Sequence, residues 1–320
     1  MIDNLSLSTS WLSWRIPDVD TMVDEIKSYG FKQVELDFSL RKPAVDRFIE
    51  LVDQNIISVS SVHNFCPIPD DPDIDYVSPD IFPISSANED IRAKGVKYTF
   101  QTIDYAERLG ARAVVVHSGK IPLKKDLSSK LMELLENGKQ DSRKYLRTKI
   151  KLLKQRDKLR QEYMDYLLAS FDKINEYAVL KGIKIGIENR FHVHEMPDIE
   201  EMDHILNTFK GGNLFYWHDI GHAQMMDNLG IFYHEEYVKF FKNRIAGTHI
   251  HDIVRTSDHR APGTGAFEFE RVRDFLSQNI IKVIEIHHPT SPKELENGIL
   301  FLKKYYERIN RHEEKNISDN

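Results

Sequence analysis

Eight short apolar stretches, each followed by a segment of helical periodicity, constrain the fold of this chain more than any other feature. The stretches are rich in Val and Ile, and most are continuously apolar, which is typical of parallel strands covered on both faces. The predicted strands span residues 5–10, 33–38, 57–63, 113–117, 183–188, 214–219, 245–249 and 282–286. A chain that repeats strand and helix in this way has few arrangements that bury every strand.

The segments between the strands carry apolar residues at three- and four-residue spacing, which predicts amphipathic helices. The predicted helices include residues 18–29, 88–109, 162–180 and 199–208. Glycine just past a helix end is a common stop signal, and Gly30, Gly110, Gly182 and Gly211 stand at such places. The strict alternation predicts the α/β class, as a single (β/α)8 TIM barrel. A doubly wound sheet would need a glycine-rich phosphate loop after the first strand, and residues 9–14 form none.

We expect one barrel domain over residues 1–311, with a long helical insertion at about 120–160 after the fourth strand and a disordered tail at 312–320. The insertion holds 14 Lys and Arg against 5 Asp and Glu, a net charge of +9. Since the whole chain carries −6, the rest of it carries −15. Such a basic segment can attract a polyanion, and it also fits a solvated helix face. A loop rich in Pro and Asp, residues 67–83, follows the third strand and could cover the barrel mouth.

The composition indicates the class of protein and its cellular compartment. Apolar residues make up 41% and charged residues 29%, which fits a soluble globular protein, and apolar runs of about six residues exclude a membrane span. The first residues show no secretory signal pattern. A single cysteine, Cys66, excludes an internal disulfide and indicates a cytoplasmic protein, with Cys66 itself a small buried group. Residues 142–169 predict a charged helix with an apolar stripe of Leu146, Ile150, Leu153 and Tyr163, which packs on the protein or on a second subunit. This helix could form the contact of a homo-oligomer.

Charged or imidazole side chains close four of the later strands. They are Glu188, Asp219, His249 and Glu285. Charge at the end of a buried strand is costly unless it is compensated, and four such residues around one barrel mouth predict a divalent metal. Their oxygen-rich set favours Mn²⁺, Mg²⁺ or Co²⁺. If His63, His117, His222 and His259 take part, the site becomes nitrogen-rich and suits two or three Zn²⁺ ions, and both readings stay open. Further candidates nearby are Asn189, His251, Asp252 and Arg255.

Several motifs make the chain similar to a known superfamily. They are Ile187-Glu188-Asn189, His218-Asp219-Ile220-Gly221-His222, His249-Ile250-His251-Asp252, Pro262-Gly263-Thr264-Gly265, the stretch 111–119 and the strand that ends at His63. With these motifs the whole chain resembles the xylose-isomerase-like TIM-barrel superfamily. That group includes isomerases and epimerases of sugars and sugar phosphates, and also the zinc-dependent endonuclease IV branch.

The resemblance implies a divalent-metal-dependent isomerase or epimerase of a sugar or sugar derivative, with small molecules as partners. Glu188, Asp219, His249 and Glu285 would be the metal ligands. Glu188 and Glu285 would also be the catalytic bases, which remove and return a proton through an enediolate. The residues that would contact the substrate are His222, Arg255, His63, His117 and Trp14.

The same resemblance leaves alternatives. A zinc phosphodiesterase of the endonuclease IV type, acting on abasic DNA, would use His63, His117, His222 and His259 as further ligands. That pattern keeps an aspartate two residues before the last histidine, where Ser257 stands here with Asp258 beside it. The acidic balance argues against a nucleic-acid partner. A second alternative is a lyase or dehydratase acting on a polyol or an oxidised glycoside, and a third is a barrel that only binds.

Overall fold

A closed barrel of parallel strands forms the centre of the molecule. The computed structural model describes residues 4–72, 74, 76–125 and 127–318, with side chains described up to residue 309. The barrel strands are β1 (Leu5–Ser8), β2 (Gln33–Leu36), β3 (Ser58–His63), β4 (Ala113–Val116), β5 (Lys184–Glu188), β6 (Leu214–Asp219), β7 (Ile245–Ile250) and β10 (Ile281–Ile284). They pair in the order β1-β10-β7-β6-β5-β4-β3-β2, so the last strand closes the barrel against the first. The predicted (β/α)8 barrel is confirmed, and all eight predicted strands overlap the observed ones.

Helices cover the outside of the barrel. They are α1 (Ser10–Ser13), α2 (Val19–Ser28), α3 (Lys42–Asp53), α4 (Glu89–Arg108), α5 (Leu127–Glu136), α6 (Arg143–Lys181), α7 (Ile199–Thr208), α8 (Ile220–Asn228), α9 (His234–Phe241), α10 (Arg273–Leu276) and α11 (Pro292–Ser318). A 3-10 helix, Phe269–Val272, precedes α10, and a short hairpin of β8 (Asp252–Val254) and β9 (Ser257–Arg260) follows β7. The sequence patterns did not predict this hairpin. It matters because it carries Asp258 and His259 to the barrel mouth.

The basic insertion consists of α5 and the first half of α6. The two helices predicted at 142–169 and 162–180 form one helix of 39 residues, which ends where Gly182 adopts a left-handed φ of 69°. Apolar side chains of the insertion, among them Leu131 and Leu152, share a buried cluster with Met225 of α8. Of the predicted apolar stripe, Tyr163 is buried, whereas Leu146, Ile150 and Leu153 are exposed.

A buried tryptophan fills the barrel beneath its mouth. The Trp217 indole is fully buried, and its ring centroid lies 5.2 Å from that of His249. A Cβ on Gly186 would lie 2.7 Å from the ring, and one on Gly247 would overlap it. The two glycines therefore make room for the indole, which forms a rigid floor under the residues at the strand ends.

The final helix runs through residues 312–318. The side chains of that segment lie outside the described residues, as do positions 319–320 in full, so the expected tail at 312–320 stays a prediction. Among the helices that the structure describes, none has the length and apolarity needed to cross a bilayer.

Candidate metal centre

The four predicted ligands converge at the carboxyl ends of four neighbouring strands. Glu188 and Asp219 are the last residues of β5 and β6, His249 stands next to the end of β7, and Glu285 directly follows β10. One ligand atom from each lies within 4.8 Å of the others, and all four side chains are buried. Parallel strands with adjacent ends produce this convergence, because the carboxyl end of every barrel strand opens on the same face.

His249 lies at the centre of this group. Its Nδ1 is 2.8 Å from Glu188 Oε1, 2.9 Å from Glu285 Oε2 and 3.6 Å from an oxygen of Asp219. Its other nitrogen, Nε2, lies 2.9 Å from the buried carboxylate of Glu35 on β2. When Nε2–H donates to Glu35, the lone pair of Nδ1 faces the three ligand carboxylates. Metal-binding histidines are commonly oriented by such a carboxylate partner, so the donor set fits a divalent cation.

A second donor group shares Glu188. His63 Nδ1 lies 3.1 Å from the Asn64 carbonyl oxygen, and His117 Nδ1 lies 3.1 Å from Asp80 Oδ1. Since both Nδ1 atoms can donate to these acceptors, each ring directs the lone pair of Nε2 inward. Those Nε2 atoms lie 3.8 Å and 2.7 Å from Glu188 Oε2. An imidazole lone pair that faces a carboxylate oxygen needs a proton or a metal ion between them.

A third donor group shares Asp219. His222 Nδ1 lies 2.9 Å from the Asn189 carbonyl oxygen, which leaves Nε2 facing inward at 3.5 Å from Asp258 Oδ2. The same Asp258 oxygen lies 3.7 Å from His259 Nε2. Asp219, His222 and His259 offer ligand atoms within 4.8 Å of one another. The one-residue shift of the aspartate noted in the sequence therefore leaves its carboxylate beside both histidines.

Protons on the histidines balance the buried carboxylates of this centre. Burial opposes ionisation of Glu188, yet hydrogen bonds from His117, His249 and His63 hold its pKa well below the ordinary value. Burial likewise opposes charge on His249, but the carboxylates of Glu285 and Glu35 raise its pKa well above the ordinary value. A divalent cation can replace those protons, because metal ligands bind in their deprotonated forms.

Burial and neighbouring charges also shift the pKa values of the other two carboxylates and of His222. Burial opposes ionisation of Asp219 and Glu285, but nearby histidines hold the pKa of both carboxyls well below the ordinary value. Burial alone would lower the pKa of His222, yet the charges of Asp219 and Asp258 raise it to about 10. His259 differs, because burial and the neighbouring His287 lower its pKa to about 3. Its ring is therefore neutral and open to a metal at neutral pH.

Other residues that orient the ligands were missed in the sequence. Glu35 accepts from His249 on one oxygen and from Ser61 Oγ, at 2.7 Å, on the other. Asp80, in the loop after β3, reaches His117. Arg190 Nη1 lies 3.2 Å from Glu188 Oε2. A charged residue within the buried strand β2 was the one available signal for Glu35.

His251, a further candidate in the sequence, holds a ligand carboxylate. Its Nε2 lies 2.9 Å from both oxygens of Asp219, and its Nδ1 accepts from the backbone N–H of His259 at 2.9 Å. The accepted bond fixes the Nε2–H form, which donates to Asp219. The Nε2–H of His251 therefore orients the carboxylate of Asp219, one of the predicted ligands.

Two predicted substrate contacts lie apart from the ligand group. Arg255 is 73% exposed, with Nη1 3.4 Å from Glu136 Oε1 of α5. Trp14 is 58% exposed, and its ring packs edge-on against His288 with centroids 4.9 Å apart. The structure thus brings His63, His117 and His222 to the centre. It places Arg255 and Trp14 at more exposed positions.

Solved structures with the same fold cover nearly the whole chain. One is a D-tagatose 3-epimerase-like protein, with 22% identity, 97% of this chain and 99% of that chain covered, and a TM-score of 0.67. Another is the 3-keto-D-glucoside 4-epimerase of E. coli, with 13% identity, coverage of 94% and 99%, and a TM-score of 0.62. A Thermus thermophilus protein soaked with ZnCl2 shows 17% identity, coverage of 94% and 97%, and a TM-score of 0.57.

At these identities the likeness shows the fold alone. No curated protein matches the sequence significantly. The family model described as xylose isomerase-like TIM barrel matches residues 23–305, most of the chain and every metal-centre residue named above. The chain therefore belongs to the xylose isomerase-like TIM barrel family.

Proposed function

We propose that this protein is a divalent-metal-dependent isomerase or epimerase of a sugar or sugar derivative. One observation carries the proposal: Glu188 and Glu285, from strands on either side of the group, both reach Nδ1 of His249, at 2.8 and 2.9 Å. Two carboxylates that approach the same predicted metal ligand from different strands can act on a substrate held between them. The D-tagatose 3-epimerase-like protein and the 3-keto-D-glucoside 4-epimerase, which share the fold, support this proposal.

The chemistry needs a base beside a weakly acidic carbon. A divalent cation, when bound, supplies Lewis-acid stabilisation of negative charge on the carbonyl and hydroxyl oxygens of the substrate. One of the two glutamates removes the proton next to the carbonyl, and the other returns a proton, which inverts the carbon or exchanges aldose and ketose. Contacts from His117 and Arg190 to Glu188 Oε2 keep that glutamate in the ionised form that a base requires.

His222 and Arg255 have different parts in the proposal. His222 is buried beside Asp219, with its Nε2 directed inward, so it can donate to a substrate oxygen that gains charge. Arg255 can contact the substrate only by leaving Glu136, because its guanidinium is exposed. His63, His117 and Trp14 complete the proposed substrate contacts. We expect Mn²⁺, Mg²⁺ or Co²⁺ at the central group.

Hydrogen exchange with solvent tests the proposal. The metal-loaded protein is incubated in D2O with a panel of ketoses, aldoses and their phosphates, and carbon-bound deuterium is measured by mass spectrometry and NMR. We expect exchange in the wild type, its loss in Glu188→Gln and Glu285→Gln, and wild-type rates in Glu200→Gln, whose side chain is 72% exposed. Exchange that survives in both site variants would refute the two-carboxylate mechanism. A wild type that exchanges with no sugar would refute the proposed function.

A second candidate is phosphodiester hydrolysis at abasic DNA by a zinc cluster. The observation that favours it is the pair of additional donor groups, His63 and His117 with Glu188, and His222 and His259 with Asp219. If zinc ions were held at all three donor groups, Glu188 would serve as a ligand in two of them and would not be free to accept a proton. Cleavage of an abasic-site oligonucleotide by the zinc-loaded protein, with no sugar exchange, would establish this candidate in place of the first. A sugar that loses water in the exchange assay would indicate a dehydratase instead.

The assembly and location of the protein also belong to the proposal. We infer a homo-oligomer, supported by the exposed apolar side chains Leu146, Ile150 and Leu153 on α6. We infer a cytoplasmic protein from the lone cysteine, and small-molecule sugars rather than nucleic acid as partners. Sedimentation of the wild type and of a Leu146→Lys, Ile150→Lys variant tests the oligomer, since a dimer through this face would dissociate in the variant.

A further inference from the structure

The loop after β3 brings one carboxylate into the metal centre. Asp80 follows Ser78, whose Oγ accepts the backbone N–H of Asp80 at 3.1 Å. Two residues further on, Phe82 is buried, with its ring 5.4 Å from Tyr98 and 6.2 Å from Phe65, measured between centroids. A local turn at Ser78 precedes Asp80, and the packing of Phe82 anchors the segment that follows it. Its position over the barrel mouth is therefore part of the packed structure.

Asp80 contacts both His117 and Arg190, the two residues that approach Glu188 Oε2. Its Oδ1 lies 3.1 Å from His117 Nδ1, and its Oδ2 lies 3.4 Å from Arg190 Nη2. On the far side of the same two residues, His117 Nε2 and Arg190 Nη1 lie 2.7 and 3.2 Å from Glu188 Oε2. Asp80 thus closes a ring of ion pairs and hydrogen bonds that ends on a single ligand oxygen.

The two oxygens of Asp80 act on their partners in different ways. The hydrogen bond from His117 Nδ1–H fixes the ring in the form whose Nε2 lone pair faces Glu188. The pair with Arg190 is one of three, because Arg190 Nη2 also lies 3.2 Å from Glu195 Oε1. Arg190 would keep its place without Asp80, whereas His117 would lose the carboxylate that accepts from its Nδ1.

We propose that Asp80 is a positioning residue of the active site, which acts through His117 to set the geometry in which Glu188 binds a cation. This inference deepens the proposed function and rests on it. It assigns Asp80, in the loop after β3, a defined part in the site. It holds whether His117 Nε2 binds a metal ion or, when protonated, donates a hydrogen bond to Glu188.

Metal affinity tests this inference without relying on turnover. Apoprotein competes with a chromophoric chelator for Mn²⁺ and for Zn²⁺, in the wild type, Asp80→Ala and Asp80→Asn. We expect affinity to fall by about 10–100-fold in Asp80→Ala, the range found when such outer partners are removed. A smaller loss is expected in Asp80→Asn, whose amide oxygen can still accept from His117. Asp70→Asn, an exposed carboxylate of the same loop, should bind as the wild type does.

A double-mutant cycle separates this role from a general effect on the loop. If Asp80 acts through His117, Asp80→Ala should weaken metal binding little further in a His117→Gln background. Full additivity of the two losses would overturn the inference. If thermal unfolding shows that Asp80→Ala does not fold, the test rests on the metal affinity of Asp80→Asn. Wild-type metal affinity in Asp80→Asn would then overturn the inference.

The outcomes also separate this inference from the proposed function. If the wild type binds neither Mn²⁺ nor Zn²⁺, both the proposed function and the role of Asp80 are overturned. Wild-type protein that binds metal, with Asp80→Ala binding equally well, overturns only the role of Asp80. Weakened binding in Asp80→Ala, with wild-type behaviour in Asp70→Asn, supports it.

Discussion

Replacing Glu35 by Gln removes one charge behind the metal centre and leaves the volume of the side chain nearly unchanged. In the wild type, Glu35 Oε1 lies 2.9 Å from His249 Nε2, and both side chains are fully buried. The Gln amide oxygen can still accept this hydrogen bond, so His249 keeps its orientation. What changes is the charge that makes the imidazole a better electron donor toward a cation on Nδ1.

The size of the effect follows from the hydrogen bond that is altered. A hydrogen bond to a charged group contributes about 1.5–3 kcal/mol and a neutral one about 0.5–1.5 kcal/mol, so the variant loses about 1–1.5 kcal/mol. At about 1.4 kcal/mol per tenfold, the dissociation constant for Mn²⁺ or Zn²⁺ should rise about 5–12-fold. Chelator competition at one fixed pH measures this change.

A matched control excludes a general effect of losing a buried carboxylate. Glu201 on α7 is 1% exposed and pairs with Arg156, outside the ligand group. Glu201→Gln should therefore lower the free energy of unfolding without changing metal affinity. Equal metal affinity in Glu35→Gln and the wild type would refute the assignment of His249 Nδ1 as a ligand supported by Glu35.

Three further predictions follow from packing, burial and exposure. Gly247→Ala would place a Cβ against Trp217 and should lower the free energy of unfolding, measured with urea, by about 1–3 kcal/mol. An unchanged urea midpoint would contradict the close packing of Trp217 on Gly247. Burial lowers the pKa of His234 well below its ordinary 6.5. Below about pH 6.5 the unfolded chain gains a proton that the folded chain does not, so stability falls by up to ~1.4 kcal/mol per pH unit, and His234→Gln should flatten this dependence in urea titrations. Arg255→Ala should raise KM for the sugar and leave metal affinity unchanged; an unchanged KM would exclude Arg255 from substrate binding.

The fold was predictable because its signal is repeated. Strand runs such as 214–219 and helix runs such as 199–208 agree with the observed β6 and α7, Leu214–Asp219 and Ile199–Thr208. The β8–β9 hairpin was missed, because its strands are short and mostly polar and carry no apolar alternation. The single helix α6 was expected as two overlapping segments, since nothing in the periodicity marks where such segments join.

The convergence of the four predicted ligands could be expected from the sequence for a related reason. Glu188 and Asp219 end apolar strands, and parallel strands bring their ends together whatever the loops do. Residues that orient the ligands depend on contacts between distant segments. Asp80 meets His117 across 37 positions, and Glu35 meets His249 across 214. Loop conformation and barrel closure determine those contacts, and no local pattern in the sequence records them.

Metal content tests the central claim most directly. Protein purified without chelators or an affinity metal is incubated with Mn²⁺, Co²⁺ or Zn²⁺, dialysed, and subjected to elemental analysis beside Asp219→Asn. We predict at least one ion per chain in the wild type and its loss in the variant, because Asp219 contributes to two of the three donor groups. A wild type that retains none of these ions would contradict a metal centre at the barrel mouth.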